Sequence, residues 1–201
     1  MAKRRLIVFV KAPRPGLVKT RLASSIGPEQ AANAYRQLAE QLFQNLAPLA
    51  GVDLRFTPDD ARSEIEPWLR PGWTLSPQGE GGLGERLNNA FLSAFQAGCD
   101  QVAIVGSDCP DVTGGDISAA WEKLGSHDAV FGPATDGGYW LVALRAPAPP
   151  LFDEIEWSTD RVLAQSLAAA CNSHLSATLL EEKTDIDTLE EWTQWQSKNG
   201  L

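Results

Sequence analysis

The chain has 201 residues, 43% hydrophobic and 21% charged, with a net charge of −9. That suits a single globular domain, 1–201, with a sizeable core, and its acidity argues against nucleic acid as a partner. No apolar run approaches the roughly 20 residues that span a bilayer, so no membrane insertion is expected; three scattered cysteines, Cys99, Cys109 and Cys171, form neither a CxxC nor an even framework, which points to a reducing, cytoplasmic setting.

Residues 6–10 are a short apolar run, and 5–10 read as a buried strand. The segment that follows, 11–21, is basic and stiffened by Pro13, Pro15 and Gly16. Lys3, Arg4, Arg5, Lys11, Arg14, Lys19 and Arg21 are seven positive charges with no acid among them, whereas the remaining 180 residues sum to −16. A concentrated positive loop at the carboxyl end of a strand calls for an anionic ligand, because open α/β sheets bind ligands there. Pro28 opens a helix whose apolar residues, from Ala31 to Leu46, recur at helical spacing. A strand is expected at 52–56, a short helix over 60–69 and a weak strand at 73–75. The glycine-rich loop 78–84 feeds a helix over 85–97 with Leu87, Ala90, Phe91 and Ala94 on one face.

Residues 102–105 are fully apolar, as in a strand buried on both faces. They run into Gly106-Ser-Asp-Cys-Pro-Asp111, which places Asp108 at the strand tip and Asp111 one turn later. Carboxylates beside a phosphate-binding loop suit Mg²⁺ or Mn²⁺; an Asx turn capped by Asp108 is the alternative, which the nearby basic loop disfavours. A helix over 114–125 and strands at 129–131 and 139–144 follow. The two strands have no helix between them, so one of them is expected to run antiparallel. Between them, Asp136-Gly-Gly-Tyr139 lets a ligand come close to backbone, or simply makes a tight turn. A helix over 158–171 with Ser158 as N-cap, a strand at 176–180 and a last helix over 184–196 complete the chain. In Thr184-Asp-Ile-Asp-Thr-Leu-Glu-Glu191, Asp187 and Glu190 form a capping box, leaving Asp185 free for the crevice, or the two aspartates exchange roles. Trp192 and Trp195, on the last helix, pack either on the core or on a second subunit, which would make a homodimer.

Strands alternating with helices predict an α/β, three-layer α/β/α sandwich around a mostly parallel sheet. Gly16-Leu-Val-Lys-Thr20 lacks the spacing of a P-loop. The two histidines, His127 and His174, stand in no serine-hydrolase constellation.

Four motifs occur in order: Lys11-x-Pro-x-x-Gly-x-x-Lys-Thr-Arg-Leu22, Leu83-Gly-Glu-Arg-Leu-Asn-Asn-Ala90, Gly106-Ser-Asp-Cys-Pro-Asp111 and Asp185-Ile-Asp-Thr188. Together they resemble the GT-A-fold nucleotide-diphospho-sugar transferase superfamily, and within it the bacterial DUF2064, or selenodomain-associated, glycosyltransferase-like family. The first loop and the Asp-x-Asp-Thr are also similar to those of phospholactate guanylyltransferases and molybdenum-cofactor nucleotidyltransferases. The resemblance implies a metal-dependent transferase, using an NTP or a nucleotide-diphospho-sugar on a small-molecule acceptor. It implies that Lys11, Lys19 and Arg21 hold phosphates within the loop of Pro13 and Gly16. It places Gly82, Leu83, Gly84 and Asn88 near the base, Ser107 at the nucleotide, and Asp136, Gly137, Gly138 and Tyr139 at the acceptor or sugar. Asp108 would hold the metal, with Asp185 or Asp187 as second ligand. Lys19 and Arg21 would neutralise the leaving group, and Asp136 would be the base for a hydroxyl acceptor. Ser-Asp-Cys-Pro-Asp stands where glycosyltransferases carry Asp-x-Asp, and is closer to the Asp-x-Pro of nucleotidyltransferases. A nucleotide-binding regulatory protein without catalysis is the alternative.

Overall fold

A computed structural model describes residues 2–200. The apolar run at the start becomes strand β1 (Arg4–Lys11), with Leu6, Val8 and Val10 on one face and Ile7 and Phe9 on the other. In chain order there follow α1 (Thr20–Ile26), α2 (Pro28–Leu46), β2 (Val52–Thr57), α3 (Arg62–Ile65), β3 (Thr74–Pro77), α4 (Leu83–Gln96), β4 (Gln101–Gly106) and α5 (Gly114–Lys123). The chain then forms β5 (Ala129–Pro133), β6 (Tyr139–Leu144), α6 (Val162–Asn172), β7 (Ala177–Leu179) and α7 (Leu189–Asn199). The strands make one seven-stranded sheet in the order β3-β2-β1-β4-β6-β5-β7. Only β6 runs antiparallel to its neighbours, β4 and β5, as the missing helix between β5 and β6 requires.

Alternate residues of each central strand feed two cores. Leu6, Val8, Val10, Leu54, Val105 and Leu141 meet Leu42 and Phe43 of α2 and Ile117 of α5. Ile7, Ile104, Phe131 and Val142 meet Leu87 and Phe91 of α4 on the opposite face. Helices therefore cover both faces, giving the three expected layers.

Several boundaries differ from the expected ones. Residues 20–26 are a helix although only Leu22 in it is buried, so no apolar periodicity announces it. Helix α6 starts at Val162 rather than 158, and Ser158 lies in a turn with a left-handed φ of 65°. Helix α7 starts at Leu189, capped by Thr188, whose hydroxyl accepts from the Glu191 amide while the Glu191 carboxylate accepts from the Thr188 amide. The capping box is thus one residue later than Asp187 and Glu190, and Asp187 is released from capping. Trp192 and Trp195 stack on each other and are buried against Leu22, Leu38 and Ile186, so they offer no surface to a second subunit. Among the described residues, no helix is long and apolar enough to cross a membrane.

Away from the carboxyl ends of the strands, Asp128 ties β5 to β7. Its carboxylate accepts from the Ser176 amide (2.9 Å) and hydroxyl (2.6 Å) and from Arg145 Nε (2.9 Å). The Ser176 hydroxyl, then its amide and Arg145, hold this carboxyl down to about 2 from an ordinary 3.8. A depressed carboxyl contributes stability that is present above pH 3.8 and is lost as pH falls through 2. Asp128→Asn is therefore expected to cost about 1–2 kcal/mol at pH 7, with partial exposure discounted. The gap in denaturant midpoint between variant and wild type should close by pH 2; an equal gap at both pH values would contradict the assignment.

Candidate functional site

The carboxyl ends of β1 and β4 set the site. Phe9 pairs with Gly106, which carries Lys11 and Asp108 to the same height above the sheet. Tyr35, reaching up from α2, joins the two strand ends: its hydroxyl accepts from the Lys11 amide (2.9 Å) and shares a hydrogen bond with Ser107 Oγ (2.7 Å). Ser107 is buried, so its hydroxyl serves this strut.

The C-terminal segment reaches the same place by backbone pairing. The Lys183 amide donates to the Pro133 carbonyl, the Thr135 amide to that of Lys183, and the Ile186 amide to that of Asp108 (3.0 Å). Ile186 buries its side chain against α1, α2 and α7. Its neighbours Asp185 and Asp187 both line the cleft.

Between these carboxylates lies Lys19. It caps α1 in a left-handed conformation (φ 48°, ψ 48°), and its side chain is only 1% exposed. Its Nζ is 2.5 Å from Asp108 Oδ1 and 3.0 Å from Asp187 Oδ1. Burial by itself would lower the ammonium pKa, but Asp108 and Asp187 overcome it and raise it. Conversely, burial works to raise the Asp108 carboxyl, and Lys19 brings it below its usual range. Among the described residues Asp185 has no cation within ion-pair distance: burial, then the Asp108 charge, pushes its carboxyl up to about 8. Arg21 is exposed and only 3.8 Å from Asp187 Oδ2.

These groups open onto a cleft of about 470 Å³ that continues between the sheet and α4. Lys11, Arg21, Asp108, Asp136, Asp185 and Asp187 line its charged half. Phe9, Leu83, Leu87, Tyr139, Trp157 and Val162 line the other. Burial raises the Tyr139 phenol pKa. The Asp136 carboxylate accepts from the Gly138 amide (2.9 Å), which fixes the turn while leaving the side chain exposed.

Several residues of the same motifs stand outside the cleft lining. The carbonyl of Pro13 accepts from Arg36 Nη2 (3.0 Å). Gly16 supplies a φ of 80° in the loop, and the Gly82 amide donates to Glu85 Oε2 in a cap of α4. Gly84 packs against the segment that carries Trp157: a Cβ there would sit 2.5 Å from the Phe152 carbonyl. Gly137 likewise packs on Asp160, while Asn88 is half-buried on α4. Asp111 is paired with Lys198 (2.7 Å) away from the cleft.

The lining also includes residues that the sequence motifs do not single out individually. Trp157, Ser158 and Thr159 enter through the turn before α6. Arg86 lines the cleft with Nη1 3.2 Å from Gln78 Oε1. Gln78 is itself locked by donating to the carbonyls of Val10 and Arg55 (3.0 Å each). Among the described residues, Arg86 has no carboxylate within ion-pair distance, and its Nε is buried without a partner. The signal available was its place inside Leu83-Gly-Glu-Arg-Leu.

Residues 38–159 match the family described as "Uncharacterized protein conserved in bacteria (DUF2064)". The chain belongs to this family. A solved relative, described as a candidate nucleotide-diphospho-sugar transferase from Desulfovibrio desulfuricans G20, is 33% identical over 99% of this chain and 88% of its own, with a TM-score of 0.91. Beyond it, the DUF2064 chain shares its fold with a CMP:2-keto-3-deoxy-manno-octonic acid synthetase complexed with CTP (10% identity, 99% of each chain, TM-score 0.62). A Mycobacterium tuberculosis H37Rv protein in complex with manganese is also similar (12% identity, 96% of this chain and 97% of that one, TM-score 0.53). No functionally curated protein matches the sequence.

Proposed function

We propose that this DUF2064 protein is a transferase that takes an activated nucleotide into the cleft and passes a nucleotidyl or glycosyl group to a small-molecule acceptor. The observation that carries this reading is the juxtaposition, at the carboxyl ends of β1 and β4, of Lys11, Arg21 and Arg86 with the Lys19–Asp108–Asp187 cluster. Three cations on two walls of one cleft, of which Lys11 and Arg86 have no carboxylate within ion-pair distance among the described residues and Arg21 only a loose one at 3.8 Å, suit a polyphosphate. The solved relative described as a nucleotide-diphospho-sugar transferase, and the CTP complex of the shared fold, support the same class of ligand.

The donor set also fits a hard divalent cation. Asp108, Asp185 and Asp187 offer only carboxylate oxygens, and a lysine ammonium already stands as a cation between two of them. Mg²⁺ is commonly held by one or two carboxylates together with substrate phosphates, so Asp108 with either partner suffices. Mg²⁺ or Mn²⁺ bound there would neutralise charge on the phosphates and orient them. Lys11, Arg21 and Lys19 would bind the phosphates and stabilise negative charge growing on the leaving group. The exposed Asp136 would take the proton of a hydroxyl acceptor, whereas an ionised acceptor needs no base. Tyr139 and Trp157 would form the apolar wall against which the acceptor or sugar is oriented.

The number of cations favours a triphosphate; the aromatic wall and the 33%-identical relative favour a nucleotide-diphospho-sugar. Thermal shift with a panel of both, each with Mg²⁺ or Mn²⁺, separates them, since a ligand that binds only the folded state at about 100 times its Kd adds about 2.7 kcal/mol. Stabilisation by one class names the donor, and no response to any nucleotide would refute the proposal. Within the same reading, Arg86→Ala is expected to weaken nucleotide binding about 10–100-fold, the loss of a hydrogen bond to a charged group. Its melting temperature should stay close to that of wild type, because its protein partner is a single neutral amide. Unchanged affinity in a titration would remove Arg86 from the site.

A further inference from the structure

We infer that Lys19 gates the acidic floor of the cleft: its ammonium excludes a free divalent ion, and the ion enters only with a polyphosphate that draws Lys19 away. The second half of this inference rests on the nucleotide reading above; the first does not.

Lys19 Nζ touches one oxygen of Asp108 and one of Asp187. Its side chain is 1% exposed, whereas those of Asp108 and Asp187 are 42% and 34% exposed. The cation is thus inside and the carboxylates face the cleft. The left-handed cap at Lys19, the donation of the Ala23 amide to its carbonyl (2.7 Å), and the burial of Val18 anchor the chain from which the ammonium projects. An ion arriving alone must compete with a tethered ammonium, whose effective concentration is in the millimolar range or above. It must also work with a donor set already neutralised in part. Among the described residues, no three acidic, histidine or cysteine side chains converge as a ready metal site.

A polyphosphate changes the balance. It offers the ammonium several oxygens in place of two, and Lys11 and Arg21 help to hold it. Once Lys19 turns to the phosphates, Asp108 and Asp187 lack their counter-cation, and a divalent ion supplies it. Metal and polyphosphate then strengthen each other's binding by the same factor, as linkage demands.

The test uses Mn²⁺ followed by water-proton relaxation, which distinguishes protein-held Mn²⁺ from Mn²⁺ chelated in solution, with inorganic tripolyphosphate as the second probe. Wild type is expected to show little enhancement with Mn²⁺ alone and a clear one with tripolyphosphate. Lys19→Met is expected to bind Mn²⁺ alone about tenfold more tightly than wild type, or more, the size of an ordinary coupling. Wild type that holds Mn²⁺ without phosphate, or a folded Lys19→Met that holds it no better, overturns the gate. A gain in Lys19→Met without any tripolyphosphate effect keeps the exclusion and overturns the polyphosphate reading instead. If Lys19→Met does not fold, the two wild-type titrations decide: enhancement only with tripolyphosphate supports the gate, and any other pattern overturns it.

Discussion

Asp108→Ala is expected to lower nucleotide-dependent turnover by about 10³-fold, the upper range for losing one electrostatic contact to the developing charge. Asp108 receives Lys19 at 2.5 Å and stands level with Lys11 at the strand tips, so the substitution removes the group around which the charged half of the cleft is organised. Loss of folding does not account for so large an effect. The Asp108 side chain is 42% exposed, and Lys19 keeps Asp187 as a partner. Stabilisation of the protein by metal and nucleotide together should vanish in the variant, while its melting temperature without ligand shifts by a few degrees. Turnover within a factor of a few of wild type would remove Asp108 from the chemistry. An intact thermal response with turnover abolished would leave it in the reaction but take it out of metal binding.

Gly137→Ala, in the turn behind the cleft wall, should be a severely damaging single-methyl change. Gly137 has a φ of 88°, and a Cβ there would lie 2.1 Å from the backbone carbonyl of Asp160. Neither partner can rotate away, because the clash is with main chain. Left-handed strain and overpacking together should cost about 2–4 kcal/mol. The same contact joins the Asp136–Tyr139 turn to the Trp157–Thr159 turn, since the Leu163 amide donates to the Gly137 carbonyl (3.0 Å). Prying them apart displaces Asp136 and Tyr139, and misplacement by about 1 Å can cost 10²-fold in rate. Denaturant unfolding and turnover should therefore fall together in this variant. A stable variant with unchanged kinetics would show that the two turns are not coupled.

The sequence was most legible where local chemistry decides structure. The apolar runs at 6–10 and 102–105 read as buried strands, and the missing helix between β5 and β6 announced the antiparallel strand. The ordered motifs brought Lys11, Lys19, Asp108, Asp185 and Asp187 into a single cleft lining or its floor. What remained hidden is decided by contacts distant along the chain. The motif around Lys19 gives no sign that its ammonium meets carboxylates, one of them 168 residues away. The turn at 157–159 reaches the cleft because Gly84 lets Trp157 lie against α4, and neither residue signals the other by spacing. The helix at 20–26 buries only Leu22, too little apolar pattern to be seen.

The reversal of β6 has a consequence for how such a protein can diversify. Because β6 runs against β4 and β5, the turn from Pro133 to Tyr139 opens at the carboxyl ends of the parallel strands, where it forms part of the cleft wall. Both strands it joins are already paired in register below it. Residues added to this turn would lengthen that wall of the cleft, while the charged half, built on the tips of β1 and β4, would keep its place.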